Sequence, residues 1–511
     1  MSIVKMASSW LWRTVTILHL GGVVCFCGEP AAGGFSYEMV QEKARALAAK
    51  AYQPDPSGAL SDFLRKLSYN DYQSIRYRLA KSVWQDESLR FTLQFFHPGF
   101  IYQDPVVMNL IEGGQAHEFH FSSDQFDYGT NTPLPLLPPG LHFAGLRVLY
   151  PLNAPAKQDE VAAFVGASYF RLLGAGQRYG ASARGLAINT AEPGGEEFPR
   201  FTELWIEKPD KTADHLQLFA LLNSPSVTGA YRFVIKPGET TKAEIEAHLF
   251  FRKEVKKIGL APLTSMFLQG ESRTRFIPDF RPEVHDSDGL DLQSSMGEWL
   301  WRPLINPGKE FQISRFAGKG AKGFGLLQRD RDFRDYQDLE ARYDLRPSLW
   351  VEPLAGWEDG AIELVEIPTP NEFNDNIVAY WVPKEKLAAG SHHYCSYNLS
   401  ALSTVTPDSQ RLRVLATRIN PPHDKAPLRF VIDFSGDPPS TLPANAAVSA
   451  KVQATQGEIR NLVVQKNEVA GGWRVFFDFV AAGNDPSELR LFLHIGGQVW
   501  SETWAYHYSN P

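Results

Sequence analysis

Along most of the chain, apolar and polar positions alternate with a period of two, as in strands that bury one face. From about residue 69, runs such as LRFTLQFFHPG, VVMNLIEGG and HEFHFSSDQFDYG alternate or carry aromatic and β-branched residues. Gly, Pro, Asn and Asp separate them, and the pattern continues to about residue 400. It predicts a large antiparallel sandwich. Helical signals are few. Residues 36–51 place Met39, Val40, Ala44, Leu47 and Ala48 at helical spacing behind Ser36 as an N-cap, a helix expected to lie as a lid on the large sandwich. Residues 242–250 are ambiguous between helix and strand.

The Ser/Thr/Pro-bearing stretch NLSALSTVTPDSQ reads as a linker, with a boundary between about residues 398 and 412. Beyond it, RLRVLATRINPP, APLRFVIDFSG, GGWRVFFDFVA and LRLFLHIGG belong to six or seven predicted strands. That number in roughly 100 residues suits an immunoglobulin-like sandwich, here without paired cysteines. The expected organisation is all-β: a secretory signal at 1–33, a large sandwich at 34–402 and a small one at 403–511.

Composition narrows the function. A chain of 511 residues exceeds one simple core. A net charge of -7 and the absence of a basic run argue against nucleic acid as a partner. At the N-terminus, Lys5 and Arg13 precede an apolar run over 15–27, with small residues from there to Gly34. This is the shape of an export signal cleaved within 31–34, with an uncleaved anchor as the alternative. The run is too short and too glycine-interrupted to favour a membrane span. Cleavage would remove Cys25 and Cys27, leaving Cys395 without an internal partner. Stability is then expected from core size, not cross-links.

The densest chemistry lies at 280–307, FRPEVHDSDGLDLQSSMGEWLWRPLINP. Pro282 and Gly289 disfavour a continuous helix, so the segment reads as a loop feeding a strand. Alternation then turns Glu298 and Leu300 one way, Trp299 and Trp301 the other. Carboxylates beside paired indoles suit a sugar. The same residues also suit a turn and then a buried core strand. Gly174, Gly176 and Gly180 are spaced G-x-G-x-x-x-G outside any βαβ context, which excludes a dinucleotide loop and leaves tight turns or close approach of a ligand. Arg184, Glu196, Glu197 and Arg200 can line a cleft or pair at the surface. Residues 323–344 form a highly polar run, and 374–376 reads as a turn opening the strand IVAYWVP. No G-x-S-x-G elbow or cysteine cluster occurs. His392 and His393 are adjacent and would face opposite sides of a strand, and Gly289 arrives too early for a calcium loop. Carboxylate chemistry remains, and glycoside hydrolysis needs two such groups. Composition and spacing do not choose among the many acids.

EVHDSDGL and, shortly after it, GEWLWRPLINP resemble the periplasmic glucan biosynthesis protein family, proteins G and D. So do GASYFRLLGAGQRYGASARGLAINTAEPGGEEFPR, ALLNSPSVTGAYRF and APLTSMFLQG. The resemblance covers about residues 36–511 and is strongest over 160–383. Arg13 lacks a neighbouring arginine, which sides with the G branch, because the D branch typically carries a twin-arginine signal. The resemblance implies a large N-terminal sandwich with a groove and a C-terminal immunoglobulin-like domain. It also implies export to the periplasm and a role in making osmoregulated glucans with a β-1,2-linked glucose backbone. It further implies inverting hydrolysis of β-1,2-glucan. By position, the family's catalytic groups fall on Asp375 as general acid, Asp286 as general base and Tyr343 in a relay to the water. Trp299, Trp301, Trp350, Trp357 and Trp381 are candidate stacking platforms that equally suit a core. His285, Glu298, Arg302, Arg329 and Glu366 are further groove candidates, and Asp288 receives no catalytic role because its position varies in the family. No cofactor or metal is called for. The expected ligand is β-1,2-glucan, with the inner-membrane glucan synthase and a second copy of the chain as candidate partners. The segment RDRDFRDYQDLEARYD departs from the family in detail, so a non-catalytic glucan-binding scaffold stays open beside the hydrolase.

Overall fold

The strand Thr241–Phe251 shows why this chain builds sheets. Ala243, Ile245, Ala247 and Leu249 point inward while Lys242 and Glu244 point out. It pairs along its length with Val227–Lys236 on one side and His392–Leu402 on the other. The ambiguous segment is therefore a strand: burial of alternate residues outranks the helix propensity of its Lys, Ala and Glu.

The computed structural model describes residues 34–54, 60–132, 137–272, 277–403, 411–420, 427–436 and 447–509. The predicted signal, Cys25 and Cys27 lie outside these residues, as do residues 404–410 of the predicted linker. Two large sheets face one another across a core that includes Phe233, Ile245, Leu263 and Leu364. One has Ile258–Ser265 at its centre, flanked by Ile377–Pro383 and Ser182–Arg184. The other runs from Val448–Ala454 through Thr503–Tyr508, Trp299–Pro303 and Gly289–Ser294, and ends at Gln115–Glu118. Named strand pairs among the described residues are antiparallel, except Val107–Glu112 beside Arg200–Glu207 and Trp299–Pro303 beside Thr503–Tyr508. The helix Tyr37–Ala48 lies on an outer face, where Val40 and Ala44 pack on Trp205, Phe219 and Phe250. Ser36 takes the N-cap position without a side-chain cap bond.

The C-terminal strands form a smaller sandwich. Arg413–Asn420, Leu428–Ser435, Gly472–Val480 and Glu458–Lys466 make a four-stranded sheet. Phe430, Ile432 and Phe477 pack there against Leu489, Leu491 and Trp504. The strands opposite are the end of the long sheet itself, so the two sandwiches share one hydrogen-bonded ladder at Leu300↔Thr503 and Trp301↔Trp504.

The seam is built by residues the sequence offered to a groove. A Cβ on Gly289 would run into the indole of Trp301, so glycine lets that ring lie flat across the ladder. The Arg329 guanidinium sits 3.6 Å from the centroid of Trp301. Its remaining donors reach Asp291 at 2.8 Å and Glu502 at 2.9 Å, all three side chains being buried. Arg302, fully buried, pairs with Glu366 at 2.9 Å. Removing one member of a buried ion cluster leaves an uncompensated charge, at a cost of about 3–5 kcal/mol. Arg329→Met is expected to lower the unfolding free energy by that amount in urea titrations; an unchanged midpoint would show that the cluster is not a tie.

Candidate functional site

Two segments meet on either side of residues 265–267. The Asp286 amide donates to the Met266 carbonyl at 2.8 Å, and the Asn376 amide donates to the Ser265 carbonyl at 3.1 Å. The Asn376 side chain bridges the Phe267 amide and carbonyl at 2.8 and 3.0 Å. The turn that carries exposed Asp375 is thus pinned beside buried Asp286. Asp286 is pushed up to about 6, first by burial and further by the negative charge of Asp375, while Arg346 and Arg171 hold it down. Arg346 donates to Asp286 Oδ1 and lies over the Tyr343 ring at 4.2 Å. Gly180 allows this approach, since a Cβ there would stand 2.8 Å from the Arg346 side chain.

Tyr343 opens a short 3-10 turn, Tyr343–Leu345. The Gln328 side chain donates to the Tyr343 carbonyl at 3.1 Å and to the His285 carbonyl at 2.9 Å, fixing the turn to the residue before Asp286. His285 is fully buried between Gln328 at 2.8 Å and Glu283 at 2.7 Å, so it braces the site from behind. The Tyr343 hydroxyl donates to Glu372 at 2.9 Å. Burial raises its pKa well above the ordinary tyrosine value; Glu372 and Asp286 add to the rise and Arg346 opposes it.

The same large sandwich holds two cavities that share Ile101, Tyr102, Val165 and Arg171. The larger, about 650 Å³, is lined by Tyr69, Tyr72, Tyr102, Tyr179 and Arg147 among others; the smaller, about 360 Å³, adds Tyr169 and Arg200. Burial raises the Tyr169 hydroxyl, and Asp375 adds to the rise, while Arg171 acts on Asp286, so two cavity-lining residues lie within electrostatic range of the aspartates. Glu160 Oε1, Arg171 Nε and Arg200 Nε and Nη2 are enclosed without a hydrogen-bond partner. Groups of this kind are rare in folded proteins and are commonly satisfied by water or ligand.

The remaining candidates lie elsewhere. Trp299, Trp301, Trp357 and Trp381 are buried and Trp350 is half-buried. Trp299 stacks on Trp350 at 5.7 Å, and Trp357 contacts Trp381 at 6.0 Å and donates to the Ser396 carbonyl. Trp299, Trp301, Trp357 and Trp381 pack into the interior, and none of the five tryptophans lines these cavities. Glu298 takes Thr503 at 2.7 Å and Arg490, while Arg302, Arg329 and Glu366 belong to the seam. Arg184 pairs with Glu196 at 2.6 Å and lies 4.7 Å from the Tyr169 ring; Glu197 caps Ser226, and Arg200 pairs with Asp104 at 3.1 Å. Asp288 accepts the Arg329 and Asp330 amides and serves the backbone. Glu271, Glu283 and Asp330 bring carboxylate oxygens within 4.8 Å of one another, but Glu271 is already held by the Thr417 amide and Arg418.

Sequence reasoning missed Arg346 and Glu372 as site residues, although Arg346 follows Tyr343 and Glu372 precedes Asp375 by only three positions. The cavity tyrosines gave no signal, being scattered between Tyr69 and Tyr179 with no common spacing.

The description "Periplasmic glucan biosynthesis protein, MdoG" belongs to a family model that matches residues 35–508. The chain belongs to this family. Glucans biosynthesis protein G of Ralstonia nicotianae is 46% identical over 502 residues, covering 95% of this chain and 98% of that one. The protein of the same name from Rhodopseudomonas palustris is 46% identical over 472 residues, covering 92% and 93%. That from Vibrio cholerae is 44% identical over 484 residues, covering 93% and 87%. Family membership assigns the chain to periplasmic glucan biosynthesis. No helix among the described residues is long and apolar enough to cross a membrane.

The electrostatics can be checked without a substrate. Arg346→Met is expected to raise the Asp286 pKa above about 6, read by carboxyl carbon NMR titration. No upward shift would mean that the guanidinium does not act on this carboxylate.

Proposed function

We propose that the chain binds β-1,2-glucan in the tyrosine-lined cavities and hydrolyses it with inversion. Asp375 acts as general acid, and Asp286 and Tyr343 act on the water side. The observation that carries this reading is the pinning of the Asp286 and Asp375 segments on either side of residues 265–267, with the Asp375 charge acting on Asp286. Paired carboxylates beside a groove match what glycoside hydrolysis needs. Tyrosine faces suit pyranose rings, and the Arg147, Arg171 and Arg200 side chains that line the cavities suit sugar hydroxyls. Export through a cleaved signal at 1–33, a large glucan-binding domain at 34–402 and a supporting domain at 403–511 complete the proposal. The inner-membrane synthase and a second copy are its candidate partners.

The second reading is a scaffold that receives nascent glucan from the synthase without cutting it. Two observations favour it: Arg346 already engages Asp286, and Tyr343 is only 2% exposed.

Incubation of the mature protein with linear β-1,2-glucan separates the two, with products followed by chromatography and optical rotation. The hydrolase reading expects shorter glucans from the wild type and a loss of roughly 10²–10⁴ in rate for Asp375→Asn, with binding retained. Wild-type binding without cleavage would leave the scaffold. A group on the water side must be ionised, so activity should fall as the pH drops through about 6, the value at which Asp286 takes up its proton.

A further inference from the structure

A smaller cavity, of about 20 Å³, lies where the two sandwiches meet. The large sandwich lines it with Glu271, Glu283, Asp288 and Asp330, and the strand Arg413–Asn420 of the small one with Leu415 and Thr417. It has room for one water-sized body. Glu271, Glu283 and Asp330 each bring a carboxylate oxygen within 4.8 Å of the others.

Four acids around so small a space call for counter-charge, and the protein supplies little. Of Asp330, only the backbone amide and carbonyl are engaged among the described residues. Glu283, only 8% exposed, gives Oε2 to His285, and its Oε1 has no donor among the described residues. Asp288 gives Oδ2 to the Arg329 and Asp330 amides, and its Oδ1 is enclosed without a hydrogen-bond partner. Glu271 takes the Thr417 amide and Arg418, but a carboxylate oxygen keeps a further lone pair for a ligand. The nearby cations are committed elsewhere: Arg329 to Asp291 and Glu502, and Arg418 also to Asp433. His285 has both ring nitrogens occupied, by Gln328 and Glu283. Burial first, and then repulsion from the neighbouring acids, holds Glu271 and Asp330 far above the ordinary carboxylate range.

We propose that this cavity is a calcium site that ties the small sandwich to the large one. Its free donors are carboxylate oxygens, the set that suits a hard cation. Calcium takes oxygen at about 2.3–2.6 Å, so oxygens on opposite sides of one ion stand about 4.6–5.2 Å apart, which the 4.8 Å spread of the trio accommodates. Magnesium, at about 2.0–2.1 Å, needs them drawn in to about 4.2 Å. Asp330, Glu283 and Glu271 are the ligands, and Asp288 adds its charge. The Thr417 amide, fixed on Glu271, carries the link to the small sandwich.

The purified protein, stripped with EDTA, would be titrated with calcium chloride by calorimetry. Thermal unfolding would be followed with and without the ion, with magnesium chloride in parallel. Expected are one calcium per chain at a Kd of about 10⁻⁴ M or tighter, and a Tm higher by about 2–4 °C at a hundredfold excess over Kd. Asp330→Asn should weaken calcium by at least about tenfold and remove that rise, while the ion-free Tm stays within about 2 °C of the wild type. Terbium, a calcium stand-in, gives a reading that needs no variant. Bound here it lies beside Trp301, so sensitised emission should appear at one equivalent and vanish when calcium is added. No heat and no Tm shift with calcium would overturn the site, as would calcium binding that Asp330→Asn leaves unchanged. Magnesium binding more tightly than calcium would overturn the choice of ion. If Asp330→Asn does not fold, terbium decides: emission that calcium fails to displace overturns the proposal.

Discussion

Moving a formal charge out of water is unfavourable unless a partner moves with it. Between residues 283 and 346 this protein encloses Asp286, Asp291, Arg302 and His285, and holds Arg329 nearly as deep. Each has a fixed counterpart: Arg346, Arg329, Glu366, Glu283 and Glu502 respectively. These pairings set where the small sandwich joins the large one and which way the site loops face. The seam and the site are linked through one stretch of chain: Gln328 ties the 3-10 turn at Tyr343 to His285, and Gly289–Ser294 just beyond pairs with Trp299–Pro303.

Much of the fold was legible because period-two burial is written into the strands. Thr241–Phe251 resisted reading only because its outward positions are Lys and Glu, which also suit helices. The short-range phrases were legible too, although for two different reasons. Residues 285–287 and 374–376 mark the segments pinned on either side of residues 265–267, whereas GEWLWRP carries Trp301, the ring for which Gly289 makes room. A sequence shows that both phrases are constrained but not which face of a sheet is covered. That depends on Thr503–Tyr508, a strand far away along the chain. For this reason Trp299, Trp301, Arg302, Arg329 and Glu366 looked like a groove and are a joint.

Within the site, partners were harder to read than principals. Asp286 and Tyr343 are raised first by burial, and Arg346, Arg171 and Glu372 then adjust them. Residues that tune a carboxylate have no required spacing from it, so no linear motif records them.

The parallel pairing of Thr503–Tyr508 with Trp299–Pro303 has a kinetic meaning. A chain made from its N-terminus exposes the Trp299–Pro303 edge for the whole time that the intervening residues are being added. Contacts so distant in sequence slow folding and leave an apolar strand edge open to mispairing until the last strand arrives. The residues that finish the joint, Thr503 and Trp504, are made long after their partners Leu300 and Trp301, so deleting the strand Thr503–Tyr508 would reopen that edge.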